Sequence, residues 1–177
     1  TALIALGTHA AMTEQELAHW LGYEDDGLEA TYPGLTVLQH EWWKPETFAS
    51  LGTISAERVK ELTEGRLEVP AKVDLNRAVV ENDVAIVIGP VLPHEVVGMS
   101  GGNKYFFPGV AGQDIIDLTH WVGALITSAQ IIGTRGITPV RALINEASAL
   151  IPSQKLALCI VPQAGSYALH AVTFGTT

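Results

Sequence analysis

Residues 84–112 read VAIVIGPVLPHEVVGMSGGNKYFFPGVAG, and this stretch decides the fold. Val84 to Gly89 is a continuous β-branched run of the kind that forms a parallel strand covered on both faces. Pro90 to Gly112 then holds too much glycine and proline for a regular element. A loop of this length more often marks function than filler.

Outward from this stretch, strand and helix patterns alternate, which predicts an α/β fold with a mostly parallel sheet flanked by helices, Rossmann-like. Upstream, Ala2 to Leu6 reads as a buried strand and Thr13 to Gly22 as a helix. Thr13 and Glu16 make a capping-box pattern, and Gly22 is a natural stop. Leu35 to Gln39 reads as a second strand, and Glu24, Asp25 and Asp26 as a solvated turn. Between Glu41 and Leu75, WWKPETF opens a turn, ISAERVKELTEG has helical character, and RLEVP and KVDL are short strand candidates. A short helix over Asn76 to Glu81 leads into the central strand. Downstream, helices are expected over Gln113 to Ser128 and Thr138 to Leu150, then strands over Lys155 to Val161 and Tyr167 to Phe174.

Composition narrows the functional classes. The chain has 177 residues, ample for one buried core, so residues 1–177 read as a single α/β domain. It carries 10 basic against 19 acidic residues, a net charge of −9, so a nucleic-acid surface is not expected. No apolar run approaches a membrane span, and the N-terminus lacks a signal pattern. The single cysteine, Cys159, sits in the apolar run LALCIV and reads as a core residue, which fits a reducing, cytoplasmic setting. The chain opens at Thr1 directly inside a strand-like segment, and is expected to be a piece of something longer.

Three histidines and one lysine are the candidates for chemistry. His9 and His94 each follow a strand across a short turn, and in open α/β sheets that edge is where ligands bind. A lone histidine there reads first as a surface residue, but two at equivalent strand ends favour function. His120 lies opposite the apolar stripe of Ile115, Leu118, Val122, Leu125 and Ala129, so it is not an ordinary core residue. Lys104 follows a glycine-rich turn whose Ser100, Gly101 and Gly102 could present backbone N–H groups to an anion. The turn is no P-loop, because its glycine spacing is wrong and Tyr105 replaces the magnesium-binding hydroxyl. His40, after TVLQ, has a structural reading, as do Trp20, Trp42, Trp43 and Trp121.

GTHAAMTEQEL around His9, VLPHEVVGMSGGNKYFFPGVAG around His94 and Lys104, and DLTH at His120 together resemble the nickel-dependent lactate racemase family. The lysine stands ten residues after one histidine and sixteen before the next. The resemblance covers most of the chain and is weakest in its middle third. It implies an N-terminal, cofactor-attaching domain of a two-domain protein, with a C-terminal domain that closes over the cofactor. It also implies nickel held as a nickel-pincer nucleotide, a pyridinium dithiocarboxylate mononucleotide. Lys104 would form a thioamide link to that cofactor, and His120 would ligate the metal.

By the same resemblance, His9 and His94 are the paired acid/base groups acting on a small-molecule 2-hydroxy acid. The Cα–H of such an acid is very weakly acidic, and reversible hydride transfer to the cofactor avoids a carbanion. One histidine takes the hydroxyl proton for each enantiomer, a task suited to an imidazole near neutrality. The family commonly has arginine after the first histidine, whereas here Ala10 follows His9. The expected substrate is therefore lactate or a related 2-hydroxy acid. Two other readings use the same residues: a metal- or nucleotide-dependent oxidoreductase, and a non-catalytic scaffold whose lysine loop grips an anion.

Overall fold

The computed structural model describes residues 1–23, 27–166 and 168–177. The acidic turn at residues 24–26 and the expected strand start at Tyr167 lie outside them. Nine strands and seven α-helices occur among the described residues, arranged in four small sheets.

β1 (Ala2–Ile4) pairs in parallel with β2 (Val37–Gln39). Between them, α1 (Glu14–Leu21) starts at the Thr13–Glu16 capping box and stops at Gly22, whose φ of 72° is left-handed. The short α2 (Leu28–Thr31) follows. After a 3-10 turn at Pro45–Thr47, β3 (Phe48–Ile54) pairs antiparallel with β4 (Ala71–Asn76), with α3 (Ala56–Leu62) between them. β3 was not legible as a strand, because Gly52 interrupts it and the register shifts between Ser50 and Gly52. RLEVP, expected as a strand, forms no regular element.

α4 (Arg77–Val80) leads into β5 (Val84–Pro90), which pairs in parallel with β8 (Gln154–Pro162). β9 (Leu169–Thr176) then pairs antiparallel with β8. The expected single, mostly parallel, Rossmann-like sheet is thus replaced by small mixed sheets. The connection from β8 to β9 is too short for a crossover, so the chain must return antiparallel. β5 is also not covered on both faces. Ala85 and Val87 pack on the core, whereas Ile86 and Ile88 are 53% and 64% exposed, as is β9 on the far side of β8.

The main core lies between β4, α5 (Gln113–Ile126) and α7 (Pro139–Ala149), with the short α6 (Ser128–Ile131) beside them. Val73 and Leu75 of β4, Phe107, Ile115 and Val122 of α5, and Val140, Leu143 and Ile144 of α7 are almost wholly buried. On α5 the buried side includes Thr119 and Ile126, while Leu125 and Ala129, expected in the apolar stripe, are exposed. The stripe is therefore rotated slightly toward the loop that carries Lys104.

His40 is fully buried. Its Nε2 lies 3.3 Å from the Ala111 carbonyl, Nδ1 accepts from the Asn76 side-chain amide at 3.1 Å, and the ring meets Phe48 edge-on. Its structural reading therefore holds. Burial pushes the imidazole below its ordinary pKa of 6.5, with the Ala111 bond opposing. A histidine held neutral in the fold but free to protonate when unfolded stabilises fully above the unfolded pKa, and this contribution is lost as pH falls below it. Urea midpoints measured from pH 7.5 to 5 should fall with acid, and His40→Gln should show a flatter slope. An unchanged slope would place the acid sensitivity elsewhere.

Candidate functional site

Four of the residues singled out above converge. His9, His94, Lys104 and His120 all line one cavity of about 320 Å³, together with Gly7, Tyr105 and Thr119. They come from three segments: the end of β1, the loop after β5, and α5. The strands behind His9 and His94 belong to different sheets, yet the segments that follow them line the same space.

At the β1 end, Gly7 turns the chain with φ of 59°, and its N–H donates to the Gly109 carbonyl at 2.8 Å. This bond ties the first strand to the lysine loop. The His9 N–H donates to the Leu6 carbonyl at 3.0 Å, and the Trp42 indole N–H donates to the His9 carbonyl at 3.0 Å. Trp42 was read as a packing group, but it is half exposed and braces His9. No local signal links residues 33 positions apart, so the contact was invisible before the fold.

His94 sits on β6 (Pro93–His94), which pairs antiparallel with β7 (Gly98–Met99). The Val96 N–H donates to His94 Nδ1 at 3.1 Å. A ring that accepts at Nδ1 is neutral and carries its proton on Nε2, and taking up a second proton means giving up the Val96 bond. Burial depresses the His94 pKa, with the Lys104 charge adding to the effect and Glu95 opposing it.

Lys104 lies in a 3-10 turn at Gly102–Tyr105. It is partly buried, and burial lowers its pKa, with Glu95 opposing and Arg141 reinforcing. A lowered lysine pKa raises the fraction of free amine, the nucleophilic form. Ser100, Gly101 and Gly102 do not line the cavity. The Ser100 hydroxyl donates to the Pro90 carbonyl at 2.9 Å and accepts from the Leu92 N–H at 2.8 Å, so it is used in building the loop. Gly101 has φ of 89°, and a Cβ there would lie 2.7 Å from the Val91 side chain, so only glycine fits.

His120 projects from the side of α5 away from the core, and loop residues supply the second surface around it. Its Nδ1 lies 2.6 Å from the Ile116 carbonyl. A carbonyl can only accept, so Nδ1 carries the proton and Nε2 keeps a free lone pair. That is the arrangement of a metal-ligating histidine oriented by a backbone carbonyl. Among the described residues, no group of three or more His, Cys, Asp or Glu side chains could hold a metal ion. His120 is thus a single imidazole donor on the cavity.

Three of the six histidines and one lysine of a mixed α/β chain thus share one cavity, the arrangement of a candidate ligand-binding domain. The family model for the lactate racemase N-terminal domain matches residues 1–133, and the chain belongs to that family. A crystal structure of a protein from Thermotoga maritima is similar over 98% of this chain and 41% of its own, at 32% identity and a TM-score of 0.85. The lactate racemase apoprotein from Thermoanaerobacterium thermosaccharolyticum is similar over 98% of this chain and 37% of its own, at 22% identity and a TM-score of 0.76, which shows the fold. The chain thus spans about two fifths of the length of the solved structures it matches. A search of curated proteins finds no match. No helix among the described residues is long and apolar enough to cross a membrane.

Proposed function

We propose that this chain is the cofactor-attaching part of a nickel-dependent racemase or epimerase acting on lactate or a related 2-hydroxy acid. The observation that carries the reading is the single cavity lined by His9, His94, Lys104 and His120. In this reading Lys104 Nζ carries the thioamide link and His120 Nε2 faces the metal. When bound, the nickel-pincer nucleotide supplies a hydride acceptor.

The chain's own residues then manage protons at the substrate hydroxyl oxygen. His9 is exposed and takes the proton from one enantiomer. His94 does so for the other after releasing the Val96 N–H. In its resting state it offers Nε2–H as a donor to a carbonyl oxygen of a 2-keto acid. The remaining domain of the same protein closes the cavity, which excludes water from the reacting carbon. In this reading the setting is cytoplasmic.

Chiral chromatography of 2-hydroxy acids incubated with the complete loaded protein tests this. The expected result is interconversion of enantiomers with no external electron acceptor. An oxidoreductase would instead need an acceptor for net turnover, and a scaffold domain would do neither. In parallel, His120→Ala should weaken nickel retention by about 10–100-fold or more, the scale seen when even an outer partner of a metal ligand is lost. Unchanged nickel affinity would remove His120 from its role.

A further inference from the structure

The last helix, α7, lies beyond residue 133, where the family match ends. One side of it is apolar: Val140, Leu143, Ile144 and Ala147 are buried in the core. A second side carries Thr138, at its N-cap, then Arg141, Asn145 and Ser148, spaced by three, four and three residues. On a 3.6-residue period they form one stripe.

Each member of this stripe holds successive parts of the chain leading to Lys104. The Thr138 hydroxyl donates to the Val97 carbonyl at 3.3 Å. The Arg141 guanidinium donates to the Gly101 carbonyl at 3.3 Å and also to the Met99 carbonyl. The Asn103 amide N–H donates to Asn145 Oδ1 at 3.1 Å, and the Ser148 hydroxyl donates to Asn103 Oδ1 at 2.8 Å. The stripe therefore follows residues 97–103 in order and ends one residue before the lysine. Elsewhere on the helix, Glu146 accepts two hydrogen bonds from Arg58 of α3, at 3.0 and 2.8 Å, so α7 is anchored independently of the loop.

Arg141 is the unusual member. Its side-chain partners are both main-chain carbonyls, which the rigid fork of a guanidinium serves at once. A polar face matched to one loop this closely does more than keep the helix soluble.

We propose that the polar stripe of α7 is a template that sets the path of the lysine turn, with Arg141 and Asn145 as positioning residues for Lys104. The proposal rests on reading Lys104 as the attachment residue. It gives α7, which lies beyond the matched residues 1–133, the task of holding that amine partly buried at the cavity. The charged or titratable groups around Lys104 are Glu95 and Arg141, with His9, His94, Tyr105 and His120 lining the same cavity.

The test uses acetylation by the N-hydroxysuccinimide ester of acetic acid, with the rate at each lysine read by peptide mass spectrometry from pH 6 to 11. Exposed Lys60 serves as the reference on the same molecule. In the unaltered chain the Lys104 midpoint should lie below the ordinary lysine range, whereas that of Lys60, ion-paired with Glu68, should lie above it. Both Arg141→Met and Asn145→Ala should raise the Lys104 midpoint by about one unit, as the turn loosens and the amine gains water. Asn145→Ala changes no charge, so its shift reports geometry. Ser148→Ala, which removes only a hydroxyl, replaces it if circular dichroism shows a loss of fold.

A shift in Arg141→Met alone would overturn the template and leave only a charge effect, and no shift in either would overturn both parts. Because the reagent needs no cofactor, these outcomes are independent of whether the chain ever carries nickel.

Discussion

Replacing His94 by alanine in the complete loaded protein should lower the interconversion of 2-hydroxy acid enantiomers by about 10²–10⁴-fold, the usual contribution of a positioned acid or base. His9→Ala should lower it by a similar factor. Racemisation needs a base for each enantiomer, so losing either histidine blocks the full reaction. Initial rates from each enantiomer, followed by chiral chromatography, give the size of the loss. A loss under about tenfold in both variants would move proton transfer to other groups. Burial and the Lys104 charge hold His94 below the ordinary histidine pKa, so the step it carries should persist toward acid pH. His94 thus remains neutral, and able to take a proton, at lower pH than an unperturbed imidazole.

The second large effect concerns stability. Phe107, three residues after Lys104, has no exposed surface and sits in the main core beside Leu75, Ile115 and Val122. Phe107→Ala should cost about 3–5 kcal/mol in urea unfolding, through lost transfer energy and the cavity left behind. Domains are commonly stable by only about 5–15 kcal/mol, so this change takes a large fraction. It would also release the anchor directly downstream of the lysine turn. A cost below about 1 kcal/mol would mean that the site collapses around the smaller side chain.

The residues that gather at the candidate site were more legible in the sequence than the fold. His9, His94, Lys104 and His120 stand in short motifs with fixed spacing, and the cavity gathers all four. α1 was equally legible, because its capping box and terminal glycine are local signals. Sheet topology was not, since alternating strand and helix patterns do not fix strand direction. β3, broken at Gly52, and the return of β9 across a short connection are decided by long-range pairing. The burial of β5 failed for a related reason, because a β-branched run reports strand propensity and cannot say what covers each face. The glycine turn was read as an anion cradle, whereas its serine is used in holding the loop. The residues bracing the site, Trp42 and Arg141, act across 33 and about 40 positions, beyond any motif.

On the proposed reading, this cavity carries its cofactor on Lys104. Intact mass spectrometry of the complete protein, produced together with the cofactor-making machinery, tests it directly. The account predicts a covalent adduct that survives denaturation and is absent from Lys104→Ala, with Lys44→Ala as a surface control that keeps it. No adduct on the unaltered protein, or one that persists in Lys104→Ala, would contradict it.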